Sequence, residues 1–156
     1  MPESLVRKYP YPASGVAPDV PYWLQRLADS LDVDIAALYP KPFTALTLTN
    51  GWLEYTGGGG YRNGLWVRKA GNSLHINGMI RAGALNSIMA TITDLNLVPT
   101  TGTIFEADAA GSRATILLSP KAAVGQPASP QTGQLTYRSG PANPSYLMIN
   151  EVIPLD

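Results

Sequence analysis

The sequence predicts a mainly β protein: an antiparallel, jelly-roll-like β-sandwich preceded by an extended N-terminal arm and one short helix. Three observations carry this. From Phe43 to Ile92, short alternating apolar and polar runs are punctuated by glycine and asparagine, the pattern of closely spaced half-buried strands. Residues 1–18 hold Pro2, Pro10, Pro12 and Pro18, a density that keeps a chain extended and prevents a regular helix. Between these stretches, apolar residues recur at helical spacing. The 156 residues therefore divide into an arm (1–18), an amphipathic helix (19–39) and a sandwich head (43–156), one domain with appendages rather than two full domains.

The arm contains Leu5, Val6, Tyr9 and Tyr11 among its prolines. It reads either as a disordered tail or as a segment that lies along a neighbour with these four residues as anchors. Tyrosine and proline lose little entropy on ordering, which favours the second reading.

Asp19 is placed to cap the helix, and Pro21 is tolerated in a first turn. Val20, Leu24, Leu27, Leu31, Ile35 and Leu38 follow at spacings of 4, 3, 4, 4 and 3, a single apolar stripe of straight-helix period. A strict coiled coil would draw Asp34 into its seam. The stripe packs either on its own chain or against other copies around an axis. The widening of the apolar surface by Tyr22 and Trp23 favours self-association, with Leu24, Leu27, Leu31, Ile35 and Leu38 as candidate interface. Pro40 and Pro42 end the helix at a length of about 28 Å. Asp29, Asp32 and Asp34 lack the glycine and closing glutamate of a calcium loop and read as a solvated flank.

In the head, Leu65 and Val67 oppose Trp66 and Arg68. Leu74, Ile76, Gly78 and Ile80 oppose His75, Asn77, Met79 and Arg81. Gly71-Asn72 between the two runs suits a tight hairpin. Leu46, Leu48 and Trp52 open the set, and Ile88, Ala90 and Ile92 form the next inward row. Gly57 to Gly60 is an exposed turn and not a phosphate loop, since no Gly-Lys-Ser/Thr follows. Further strands are expected at 104–107 and 113–119, joined through Ala109-Ala110-Gly111-Ser112, then from Leu135 and over 146–153, about eight in all. Residues 119–134 form the longest loop, read as a mobile surface segment or as a binding loop.

Composition narrows function. Charged residues are 14% of the chain and balance to zero, unlike the basic faces of nucleic-acid binders. A surface so poor in charge is prone to association, and assembly would cover it. Cysteine is absent and His75 is the single histidine, which excludes disulfides, thiolate metal sites and a multi-histidine site within one chain. No segment is long and apolar enough to span a membrane, and prolines stand where a secretory leader would be apolar. Ser73 lies near His75 without a nucleophile elbow. Glu54, Glu106, Asp108 and Glu151 are carboxylates that nothing in the sequence brings together in pairs. The expectation is a protein with no enzymatic activity and no cofactor.

Two stretches resemble virion proteins of tailed bacteriophages. YPYPASGVAPDVPYWLQRLADSLDVDIAAL is similar to the leader of phage tail-fibre and minor tail proteins, where a Tyr-Pro-rich segment precedes "APDVP" and a short helix. Leu48-Thr49-Asn50-Gly51-Trp52, Tyr61-Arg62, Leu74-His75-Ile76-Asn77-Gly78, Ile80 and Ile88 to Ile92 resemble the C-terminal domain of phage fibre and receptor-binding proteins. The resemblance covers more than half the chain. It implies a β-sandwich that trimerises, an N-terminal segment attached to other virion proteins, and a virion assembled in the host cytoplasm. The implied role is a short tail fibre or appendage binding host-surface polysaccharide, with Tyr61, Arg62 and Trp66 as candidate glycan contacts. The alternative is a capsid-decoration or head-fibre protein with a purely structural role. Where family members continue "T-L-P-A-G-Y-R-P", this chain reads TDLNLVPTTG after Ile92, so the family's ligand-binding surface does not carry over.

Overall fold

The computed structural model describes residues 20–57, 60–122, 126 and 129–155. The arm residues Leu5, Val6, Tyr9 and Tyr11 and the expected cap residue Asp19 lie outside the described residues. The chain divides into two units, Met1–Pro40 and Lys41–Asp156.

In the first unit, helix α1 spans Val20–Leu38. Tyr39 N–H donates to the Ile35 carbonyl at 3.3 Å, a last helical bond before Pro40. Tyr22 and Trp23 meet edge to face, ring centres 5.3 Å apart, and the Arg26 guanidinium lies 6.0 Å from the Tyr22 ring one turn on. Leu24, Leu31 and Ile35 are exposed and Leu27 is half-buried. The Leu38 side chain lies outside the described residues.

The second unit is an antiparallel sheet nearly closed into a barrel-like shape. Its strands are β1 (Thr44–Leu46), β2 (Leu53–Glu54), β3 (Gly64–Ala70), β4 (Ser73–Arg81), β5 (Ile88–Thr91), β6 (Thr103–Ala109), β7 (Ser112–Leu118), β8 (Gln134–Ser139) and β9 (Leu147–Pro154), with a short 3-10 turn at Leu95–Leu97. The order is β1-β3-β4-β9-β6-β7-β8-β5, and β2 pairs with the end of β4. Two local hairpins, β3–β4 and β6–β7, need little loop-closure entropy. The long-range step is β9, which enters between β4 and β6 and joins the two halves. The other junction is an isolated bridge, Leu48 with Ala90, reinforced where Thr49 N–H donates to the Met89 carbonyl at 2.9 Å.

Period-two alternation decides what is inside. Strand β4 alternates half-buried and buried without a break from Ser73 to Ile80, as its sequence predicts. Leu74, Ile76 and Ile80 enter a core with Met89, Ile116, Leu118, Leu135, Tyr137 and Ile149, all fully buried. Each such side chain stabilises the fold by about 1.5–3 kcal/mol. The hairpin at Gly71-Asn72 has positive φ at Gly71, +58°, but not at Asn72, the type II′ pattern that matches strand twist. At the opposite edge, the Asn72 side-chain amide donates to the Leu155 carbonyl, and Leu155 N–H returns a bond to the Asn72 carbonyl at 2.8 Å. The segment that follows β9 is thereby fastened to this turn.

Of the predicted inward row, Ala90 and Ile92 are buried and only Ile88 needs correction. A bulge between Ile88 and Ala90 opposite β8 inserts an extra residue, so Met89 and Ala90 are both buried and Ile88 is only half-buried. The strand beyond the expected eight is β2, whose two residues are too few to show a period. The neck of the 119–134 loop is pinned: Ser119 N–H donates to Gln134 and Gly133 N–H to Ser119, at 2.9 and 3.1 Å.

Candidate functional site

The outer face of β1, β3 and β4 gathers the aromatic and cationic residues. Register pairs Thr44 with Val67 and Ala45 with Trp66, which sets Phe43 one step beyond β1, beside Arg68. Because Leu65 and Val67 point inward, Trp66 and Arg68 must point outward. Arg62 is fixed from the other side. Its carbonyl accepts from Met79 N–H at 2.9 Å, and Asn63 forms a bridge with Met79.

These placements converge on Phe43. The guanidinium carbons of Arg62 and Arg68 each lie 4.4 Å from the centre of its ring. Arg62 also lies 5.6 Å from the Trp66 ring. Both arrangements are cation–π contacts that hold long side chains in place. The Trp66 indole N–H donates to the Asn63 carbonyl at 2.6 Å, so Trp66 offers a ligand its ring rather than its donor. Beside Trp66 on β4 stands Asn77, whose amide donates to Asn150 Oδ1 on β9 at 3.2 Å.

Of the candidate glycan contacts, the structure brings Arg62 and Trp66 together. Tyr61 is exposed next to them in the chain and makes no ring contact among the described residues. Sequence reasoning missed Phe43, Arg68 and the Asn77–Asn150 pair. Alternation already set Arg68 on the face of Trp66, but the β1–β3 register that adds Phe43 is a non-local fact.

A second, open depression of about 440 Å³ lies beside β6, the β6–β7 turn and β9, lined by Glu106, Asp108, Ser112, Arg113, Met148 and Asn150 among others. It brings together two carboxylates that the sequence leaves apart, and both are engaged. Glu106 pairs with Arg113 at 3.4 Å on an exposed surface, and Asp108 Oδ1 accepts from Gly111 N–H at 2.8 Å across the β6–β7 turn. Ser73 and His75 share the outer face of β4, with no hydrogen bond between their side chains among the described residues.

The chain matches no family model and no curated protein. Its fold is similar to the crystal structure of the receptor binding protein (gp15) of Listeria phage PSA, with a TM-score of 0.60 over 87% of this chain and 77% of that one. Sequence identity is 17%, so the likeness is one of fold.

Proposed function

We propose that this chain is a structural protein of a tailed-bacteriophage particle, a short tail fibre or appendage that binds a host-surface glycan through its β unit. The observation that carries the reading is the fold likeness to a phage receptor binding protein across 87% of the chain. It is joined by the outward band of Phe43, Arg62, Trp66 and Arg68. Flat rings beside guanidinium forks and side-chain amides suit saccharides, which present apolar ring faces edged by hydroxyls.

In this reading the protein is not an enzyme. Residues 1–18 attach it to other virion proteins, and the exposed stripe of α1 closes a homotrimer.

The test is competition. The purified chain blocks adsorption of the particle that carries it, and Trp66→Ala combined with Tyr61→Ala abolishes the block. A chain that decorates the particle without blocking adsorption would overturn the receptor-binding role and favour a purely structural one.

A further inference from the structure

The near-zero net charge conceals a division. Eight of the eleven basic residues, but only six of the eleven acidic ones, fall in 41–156. Half of those eight are Lys41, Arg62, Arg68 and Lys69. Lys41, Arg68 and Lys69 line one depression of about 200 Å³, and Arg62 shares the Phe43 ring with Arg68.

Among the described residues, none of these four cations forms an ion pair; the one ion pair is Arg113 with Glu106. The single carboxylate lining the depression is Asp94. Its Oδ1 accepts from both the backbone N–H and the side-chain amide of Asn96, each at 3.0 Å. It serves the 3-10 turn that it caps.

Arg68 carries a second sign. Its Nε–H is buried without an acceptor, where buried donors are nearly always paired. Two guanidinium carbons at 4.4 Å from one ring centre cannot lie further apart than twice that distance. Like charges so placed repel, and an anion bound beside them offsets the repulsion.

We propose that Arg62 and Arg68, oriented by Phe43, with Lys41 and Lys69 lining the depression beside Arg68, bind the anionic group of an acidic sugar, a carboxylate or a phosphate. This rests on the glycan-binding reading above and names the class of glycan. Arginine suits the role because its planar fork matches both oxyanions, and stacking on Phe43 fixes that fork before the ligand arrives. Trp66, beside Arg62, is placed to cover the sugar ring.

The test is an NMR titration of the full-length protein with glucuronic acid, glucose 6-phosphate, glucose and inorganic phosphate. One or both acidic sugars are expected to shift the Trp66 indole and the Phe43 and Arg68 amides, with glucose at least about tenfold weaker. The tighter of the two acids identifies the group. Arg68→Gln is expected to weaken acid binding about tenfold or more, and added salt to weaken it in the native protein. Arg62→Gln, at an exposed position, gives the same result without risk to the core, and Phe43→Leu tests the orienting ring.

Glucose binding as tightly as the acids, unmoved by Arg68→Gln, overturns the anion site while leaving the glycan reading intact. Inorganic phosphate equalling glucose 6-phosphate shows an adventitious ion only and overturns it too. No shift with any probe also overturns it, and blocked adsorption would then still support the receptor role. Acid-sugar binding without any block of adsorption keeps the site and removes the receptor role.

Discussion

Trp52 and Tyr137 stand edge to face, ring centres 5.2 Å apart and planes inclined by 73°. Both are buried. The contact explains the Asn50-Gly51-Trp52 motif in physical terms. Asn50 and Gly51 both take positive φ, Trp52 N–H donates back to the Thr49 carbonyl at 3.1 Å, and the Asn50 amide donates to the Ile88 carbonyl at 2.9 Å. The turn thus ties the start of the β unit to β5 and drives the indole inward. There its N–H donates to Ser87 Oγ at 2.8 Å, and Ser87 donates on to the Ala84 carbonyl at 2.5 Å.

Gly83 lies against the indole with φ of +88°, and a methyl group there would overlap the ring. Gly83→Ala meets both backbone strain and overpacking. It is expected to destabilise the protein by about 2–4 kcal/mol. Trp52→Ala, which removes the ring and opens a cavity, is expected to cost about 3–5 kcal/mol. In the double variant the Gly83 penalty shrinks, because the overlapping ring is gone. Chemical denaturation of the four proteins measures this coupling, and strictly additive losses would refute the overlap.

Tyr137 makes stability depend on alkaline pH. Burial pushes its phenol above the ordinary 10.0, and the hydroxyl donates to the Pro141 carbonyl at 2.8 Å. The unfolded chain releases this proton near pH 10, whereas the folded chain keeps it. The stabilisation is therefore fully present below pH 10 and is lost as pH rises through the raised folded value. The native protein should lose stability above pH 10 more steeply than Tyr137→Phe, by up to about 1.4 kcal/mol per pH unit. At neutral pH the variant should be weaker by about 1 kcal/mol, having left the Pro141 carbonyl unpaired. Denaturation midpoints from pH 8 to 11 check both statements.

The faces of β3, β4 and β7 were legible because period two is a local property. The hairpins were legible because Gly71-Asn72 and Ala110-Gly111 announce themselves by composition. Pairing between distant strands left no such mark. Nothing near Phe43 states that Ala45 will pair with Trp66, so the ring that orients Arg62 and Arg68 was invisible while Arg62 and Trp66 could be named. The same holds for the Leu48–Ala90 closure, and for the bulge that buries Met89 beside Ala90 and leaves Ile88 half-buried.

The β6–β7 hairpin holds a correctable flaw. Ala109 pairs with Ser112, and the two central residues, Ala110 and Gly111, have φ of +53° and +81°. This is a type I′ turn, which favours Asn-Gly, and alanine in the left-handed region is strained by about 1–2 kcal/mol. Ala110→Asn is expected to stabilise the protein by about 0.5–1 kcal/mol. A thermal melt reads the gain, and a loss would mean the turn has another shape in solution.

Substitutions on helix α1 can separate assembly from folding. Leu24 is 60% exposed, Ile35 48% and Leu31 39%, so a single chain leaves most of this stripe in water. If the stripe closes a trimer, Leu24→Asp with Leu31→Asp sets three copies of each carboxylate into an apolar seam, where unpaired charge is strongly disfavoured. The expected result by sedimentation is a trimeric native protein and a monomeric variant. The melting of the 41–156 unit should no longer depend on protein concentration in the variant. If the stripe instead covers part of its own chain, the same substitutions lower the melting temperature and leave the mass unchanged. The two arrangements therefore differ in whether the mass falls and in whether melting depends on protein concentration, and a trimer that survives the double substitution would move the search for its seam from α1 to the outer face of β9, where Val152 is exposed.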